Sequence, residues 1–213
     1  MARNANLRAF TFIDLLIVLV TLCFASAIVY TRLNRPKARG HPMNCVNNLK
    51  QVGLAARMFS NDHNEKFPWD VALAEGGTKE HATNIDAILH FTPMINELTT
   101  PKVLFCPTDK KRARASDWAL VSNKNLSYFV GLEADETRPQ TILSGDRNLL
   151  IDNTNFTGFV TATTNSTINI APELHEPEIN IALADGSVQQ MTVDILRKQI
   201  REKNELPLRF IIP

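Results

Sequence analysis

Read as a succession of apolar and polar positions, the chain changes rhythm three times. From Phe10 to Tyr30 the apolar run FTFIDLLIVLVTLCFASAIVY is nearly unbroken, and Asp14 is its one formal charge. At about 1.5 Å of rise per residue a helix of that length spans roughly 30 Å, the hydrocarbon thickness of a bilayer, so the pattern predicts a transmembrane helix. A carboxylate within such a segment costs about 2.5–3.5 kcal/mol at mid-membrane, which marks Asp14 as a residue with a task. Beyond it Val46, Leu49, Val52, Gly53, Ala56 and Phe59 recur at spacings of three and four. That is the stripe of an amphipathic helix packed on a sheet. Pro36, Gly40 and Pro42 interrupt or kink the stalk between the two runs, and Asn61–Asn64 closes it.

The third rhythm is that of strands. Lys102–Phe105 is a short apolar run stopped by Cys106-Pro107, and Ser127–Gly131, Thr141–Leu143 and Leu149–Ile151 follow as further strands. Asp152–Asn155 and Thr161–Thr167 are polar enough for loop or edge. Gly145–Asn148 reads as a solvated turn holding an internal Asp146–Arg147 pair. Ile179, Ile181 and Leu183 alternate with polar or small residues up to Asp185-Gly186, a dipeptide that accepts the positive φ angles of a type I′ hairpin turn. Val193, Leu196 and Ile200 predict a C-terminal helix whose negative end suits Arg197, Lys198 and Arg201, and Leu206–Ile212 adds an extended segment.

Composition changes this picture little. With 213 residues, 44% hydrophobic and 21% charged, the chain has length for one domain with a core after the apolar run. A net charge of +1 argues against a nucleic-acid partner, whose electrostatic footprint is strongly basic. The basic clusters Arg32, Arg35, Lys37, Arg39 and Lys110, Lys111, Arg112, Arg114 read as solvated or headgroup-contacting faces. Cys23 lies in the apolar run as a small hydrophobe. Outside the cytoplasm Cys45 and Cys106 could bridge, closing a loop of about 60 residues worth roughly 4 kcal/mol, although spacing alone does not decide whether they meet. No C-x-x-C pair supports a zinc ribbon or a thioredoxin-like site.

The residues around the apolar run carry a resemblance. RAFTFIDLLIVLV, preceded by the basic MARNANLRA, resembles the prepilin signature, in which a short leader ends in Gly before F-T-L-I-E-L-L. The resemblance implies cleavage by a prepilin peptidase between Ala9 and Phe10, N-methylation of Phe10, and an assembly role for Asp14 at the family's glutamate position. Ala9 replaces the usual Gly, and Asp14 carries its carboxylate one methylene shorter. A secretory signal cut near Ala25-Ser26-Ala27 is the competing reading of the same stretch. CVNNLKQVGLAARMFSNDHNEKFP resembles the bacterial pseudopilins, as do NELTTPKVLFCPTDKKR, LSYFVGL and LSGDRNL. Nine residues separate His175 from Asp185-Gly186, matching the H-x9-DG element at the C-terminus of many prepilin-type proteins. His175 and Asp185 brought together could ligate a metal or form an ion pair, but each has an adequate structural reason, Asp185 in the turn and His175 on loop backbone.

The expected fold is accordingly α+β and pilin-like: a long N-terminal helix, transmembrane then amphipathic, packed on a small, mainly antiparallel sheet. Its parts are a leader 1–9, an assembly helix 10–30, a stalk helix 31–63 and a globular domain 64–213. The resemblance implies a single-pass protein of the bacterial inner membrane with its domain in the periplasm. The positive-inside count opposes this, because Arg32, Arg35, Lys37 and Arg39 follow the run and only Arg3 and Arg8 precede it. Partners are the prepilin peptidase, other pilin-like subunits, a secretion or pilus assembly platform and the membrane. No G-x-S-x-G, H-E-x-x-H or glycine-rich phosphate loop is present, so no catalytic residue, metal or cofactor is assigned. The expected function is a structural pseudopilin subunit assembled into a periplasmic fibre of a type II secretion or type IV pilus-like system. A membrane-tethered binding module and a tethered hydrolase using His175, Asp185 and a metal are the alternatives.

Overall fold

The computed structural model describes residues 12–33, 40–175, 177–204 and 207–213, with side chains described from 12 to 26 and from 43 onward within those ranges. The chain divides into two units, Met1–Arg39 and Gly40–Pro213. The division falls inside the expected stalk, so the amphipathic helix belongs to the globular unit.

The first unit contains helix α1, Phe12–Leu33, with Asp14 in its first turn. Its hydroxyls bond inward, Thr21 Oγ1 donating to the Val18 carbonyl and Ser26 Oγ to that of Cys23. The apolar side chains point outward, and Phe12 is 78% exposed. Among the described residues no helix is long and apolar enough to cross a membrane. This corrects the transmembrane half of the expected fold, and with it the single-pass inner-membrane localisation and periplasmic orientation derived from it. Within α1 the polar residues Asp14, Thr21 and Ser26 interrupt the apolar run.

The second unit is α+β. Helix α2, Gly40–Asp62, carries Pro42 in its first turn, where a missing N–H breaks no helical bond. Of its expected stripe Leu49, Val52, Gly53, Ala56 and Phe59 are buried and Val46 is half-buried, while Cys45 and Ala55 extend the buried face. From residue 63 to 127 the chain runs through short helical turns, including α3 (Ile88–Phe91) and α4 (Ile95–Leu98). The strand expected at Lys102–Phe105 is a 3-10 turn, Pro101–Leu104. Pro101 at its first position presets φ, and the Thr100 hydroxyl accepts the Lys102 N–H.

The strands are β1 (Tyr128–Gly131), β2 (Ile142–Asp146), β3 (Leu149–Ile151), β4 (Gly158–Ala162), β5 (Ile168–Ile170), β6 (Glu178–Leu183), β7 (Val188–Thr192) and β8 (Leu208–Ile212). Six form one antiparallel sheet in the order β4-β8-β1-β2-β6-β7, and β3 pairs with β5. Alternation along the strands feeds two cores. Tyr128, Val130, Leu143, Ala182 and Ile211 pack with the α2 stripe. Phe129, Ile142, Ile181, Leu183 and Phe210 pack with β3, β5 and helix α5, Val193–Lys203, through its Leu196 and Ile200. The expected final extended segment is therefore an interior strand, β8, between β4 and β1.

Asp185-Gly186 does turn the β6–β7 hairpin, but not as a type I′ turn. Gly186 has φ +81° while Asp185 is not in the left-handed region, and the Gly186 N–H closes onto the Leu183 carbonyl at 2.9 Å. This is a three-residue connection with the glycine as the bulge. Gly186 also lies under α2, since a Cβ on Gly53 would stand 3.1 Å from the Gly186 Cα. Two consecutive left-handed residues occur instead at Asp152-Asn153, with φ 52° and 57°, where Ile151 and Thr154 exchange backbone bonds.

Candidate functional site: a buried sulfur, imidazole and carboxylate cluster

The densest polar chemistry in the second unit lies where the start of α2, the segment after Leu104 and the loop before β6 converge. Cys45 sits on the buried stripe of α2, and Asn48 one turn on donates to the Phe105 carbonyl at 2.8 Å. That bond draws the residue before Cys106 onto the helix, and Cys45 and Cys106 are bridged with their Cα atoms 5.1 Å apart. The 61-residue separation makes the bridge a staple across the whole helical-turn region. On chain-entropy grounds it contributes about 4 kcal/mol.

His175 lies against this bridge. Its Nε2 is 3.2 Å from Cys106 Sγ, 3.3 Å from Thr108 Oγ1 and 3.9 Å from Asp146 Oδ2. Burial pushes the imidazole pKa down. Asp146, at the end of β2, has no exposed surface, and that burial raises its pKa to about 7 although Asn180 donates to Oδ2 from both its backbone N–H and its Nδ2. Burial thus favours the neutral form of each group, so their proximity is not an ion pair. Among the described residues Asp146 Oδ1 has no hydrogen-bond partner.

Next to this cluster runs a buried ion network. Arg147 Nε and Nη2 donate to the two oxygens of Asp109, each at 2.7 Å, and Nη1 reaches Glu173 Oε2 at 3.3 Å. Burial acts to raise the Asp109 pKa, but the forked Arg147 contact and the Lys111 N–H outweigh it and hold the carboxyl low. Lys111 pairs with Glu173, and Arg112 donates to the Pro213 carbonyl. Two members of the second basic cluster are thus tied to the fold. The expected solvated Asp146–Arg147 pair is not formed. Neighbouring residues leaving a strand face opposite ways, so Arg147 reaches Asp109 while Asp146 faces His175.

The structure joins some of the predicted residues and separates others. Cys45, Cys106 and His175 meet. Asp185 takes no part, its Oδ1 accepting the Ser187 N–H at 2.8 Å and its carbonyl accepting from Arg57 Nη1 at 3.1 Å. The two ends of the H-x9-DG element therefore do different work, the histidine at the sulfur cluster and the Asp-Gly pair in the turn under α2. Asp14 is exposed in the first turn of α1, and Ala9 and Phe10 lie outside the described residues. Sequence reasoning missed Thr108, Asp109 and Asp146. The signal for the last was the run Asp146-Arg147-Asn148 set between two apolar strands, polar residues too closely flanked to reach solvent. An open cleft of about 300 Å³ between the β4–β5 loop and α5 is lined by Thr163, Ser166, Arg197 and Arg201. There Arg197 is committed to the Ile168 carbonyl and Asn169 Oδ1.

No protein-family model, curated protein or solved structure matches the chain. The pseudopilin and secretion-system assignment drawn from the resemblance therefore has no family match behind it.

Proposed function

We propose that the chain is a pilin-like structural subunit that assembles with copies of itself or related subunits through α1 and carries Gly40–Pro213 as its head. The observation that supports this reading is the surface of α1. Its large apolar side chains from Phe12 to Phe24 are exposed, whereas the second unit buries two cores of its own. A helix apolar around its whole circumference demands cover on every side, and a bundle of like helices supplies it. Cleavage between Ala9 and Phe10 by a prepilin peptidase would place a new amine near the start of such a bundle. Asp14, in the first turn, complements the positive end of its own helix and the Phe10 amine of a neighbouring subunit.

The test is co-expression with a prepilin peptidase, followed by mass spectrometry of the N-terminus and sedimentation with electron microscopy of the product. The expected chain begins at methylated Phe10 and sediments as fibres, and Asp14→Ala lowers fibre yield without altering the unfolding curve of the head. An uncut or otherwise cut N-terminus, or a processed chain that stays monomeric, overturns the proposal.

A further inference from the structure

A disulfide by itself gives no reason for the side chains gathered around this one. Neutral bridged sulfurs need neither an imidazole nor a carboxylate, yet His175 and Asp146 are both held there out of solvent, their side chains 3% and 0% exposed. The ligating atoms of Cys45, Cys106 and His175 all lie within 4.8 Å of one another. Asp146 adds a carboxylate 3.9 Å from the imidazole nitrogen, and its buried Oδ1 has no partner among the described residues. Two sulfurs, one imidazole and one carboxylate are the donor set of a closed, four-coordinate site for a borderline-soft divalent cation. The double donation from Asn180 fixes the carboxylate, as supporting hydrogen bonds do at metal sites.

We propose that Cys45 and Cys106 have two alternative closures: the disulfide, and in the reduced chain a four-ligand site for a divalent cation of the Zn2+ type, made by the two thiolates and completed by His175 Nε2 and Asp146. Conversion is balanced by a dithiol reductant. The dithiol gives two electrons, becomes a disulfide and releases two protons to solvent, while the Cys45–Cys106 S–S bond breaks into two thiolates that bind the cation. With Zn–S bonds of about 2.3 Å the sulfurs in a tetrahedral site stand about 3.8 Å apart, a separation that side-chain rotation supplies. Because the cluster is buried, loading occurs as the reduced chain folds, and the cation then replaces the covalent staple between α2 and the Cys106 segment. This inference is independent of the proposed assembly role.

The full chain, held in mild detergent to cover α1, is unfolded with a phosphine reductant and refolded without oxygen, with and without Zn2+. Metal is counted by mass spectrometry after dialysis, and folding is followed by near-ultraviolet circular dichroism. The expected result is about one Zn2+ per folded reduced chain and less than about a tenth of that in the oxidised chain. Co2+ in place of Zn2+ gives a thiolate-to-metal charge-transfer band that is absent when Cys45→Ser and Cys106→Ser are combined. His175→Ala and Asp146→Asn each weaken binding at least about tenfold, and each is first checked in the oxidised form, where the disulfide holds the fold. Three results overturn the proposal: a reduced chain that folds without stoichiometric metal, one that fails to fold even with Zn2+, or equal metal uptake by the double serine variant.

Discussion

Helices α1 and α2 are nearly the same length, 22 and 23 residues, and meet opposite fates. In α2 most apolar residues lie on one stripe, which the sheet and the short helical turns cover, and Leu49 has no exposed surface. In α1 they occupy the whole circumference, and Leu16 and Leu19 are more than half exposed. The difference is one of period, not of hydrophobicity alone. A stripe matches a flat partner that the same chain can build. An all-round apolar helix matches only a surrounding, which one small domain cannot fold around it without sacrificing its own core.

The strongest way to break this contrast is Leu16→Arg combined with Leu19→Arg. Loss of assembly should be complete by sedimentation, with the denaturation midpoint of the second unit unmoved. Fibres that survive would mean that α1 is not the joining surface. The second unit should in turn be breakable without touching α1. Arg147→Ala strands the buried Asp109 carboxylate and should cost about 3–5 kcal/mol in urea unfolding. A cost under about 1 kcal/mol would show the pair to be solvated. Within α2 the contrast can be reproduced in miniature. Leu49→Ala on the buried stripe should cost about 2–5 kcal/mol, while Leu54→Ala, 59% exposed on the same helix, should stay within about 0.5 kcal/mol. Comparable costs at the two positions would remove the stripe as the explanation.

A pH slope confined to the second unit tests the burial of its polar cluster. Asp146 has its folded pKa raised from 3.8 to about 7 by burial, so the folded state keeps a proton that the unfolded state has released. Its contribution is fully present below about pH 4 and is lost as pH rises through about 7. The stability of the oxidised chain relative to its Asp146→Asn variant should therefore fall between about pH 4 and 7. A difference flat with pH would mean that Asp146 is ionised in the fold.

What could be read in advance was local. The α2 stripe and the spacing of Leu196 and Ile200 record burial on one face of one element, and the structure buries Leu49, Val52, Ala56, Phe59, Leu196 and Ile200. The β6 alternation instead sorts residues between two cores, since both faces of that strand are buried. Where local cues failed, a neighbour overruled them. Pro101 with the Thr100 cap turned an apolar run from strand to 3-10 helix. Asp185-Gly186 carried the composition of a type I′ turn, but Ala184 joined the loop and left only Gly186 at positive φ, while consecutive left-handed residues occur at Asn64-Glu65 and at Asp152-Asn153. The transmembrane expectation rested on continuous hydrophobicity from Phe10 to Tyr30, and among the described residues no helix meets the length and apolarity needed.

The sequence by itself determined the periods and the presence of two kinds of helix, because those depend on residues a few positions apart. Only the tertiary structure decided that Cys45 would meet Cys106, that His175 and Asp146 would close around them, and that β8 would lie inside the sheet. The partners in that cluster lie tens of residues apart in the chain and have no period linking them. Their meeting depends on strand order and on which way a side chain leaves a pleat, and both are settled only when the two cores pack against one sheet.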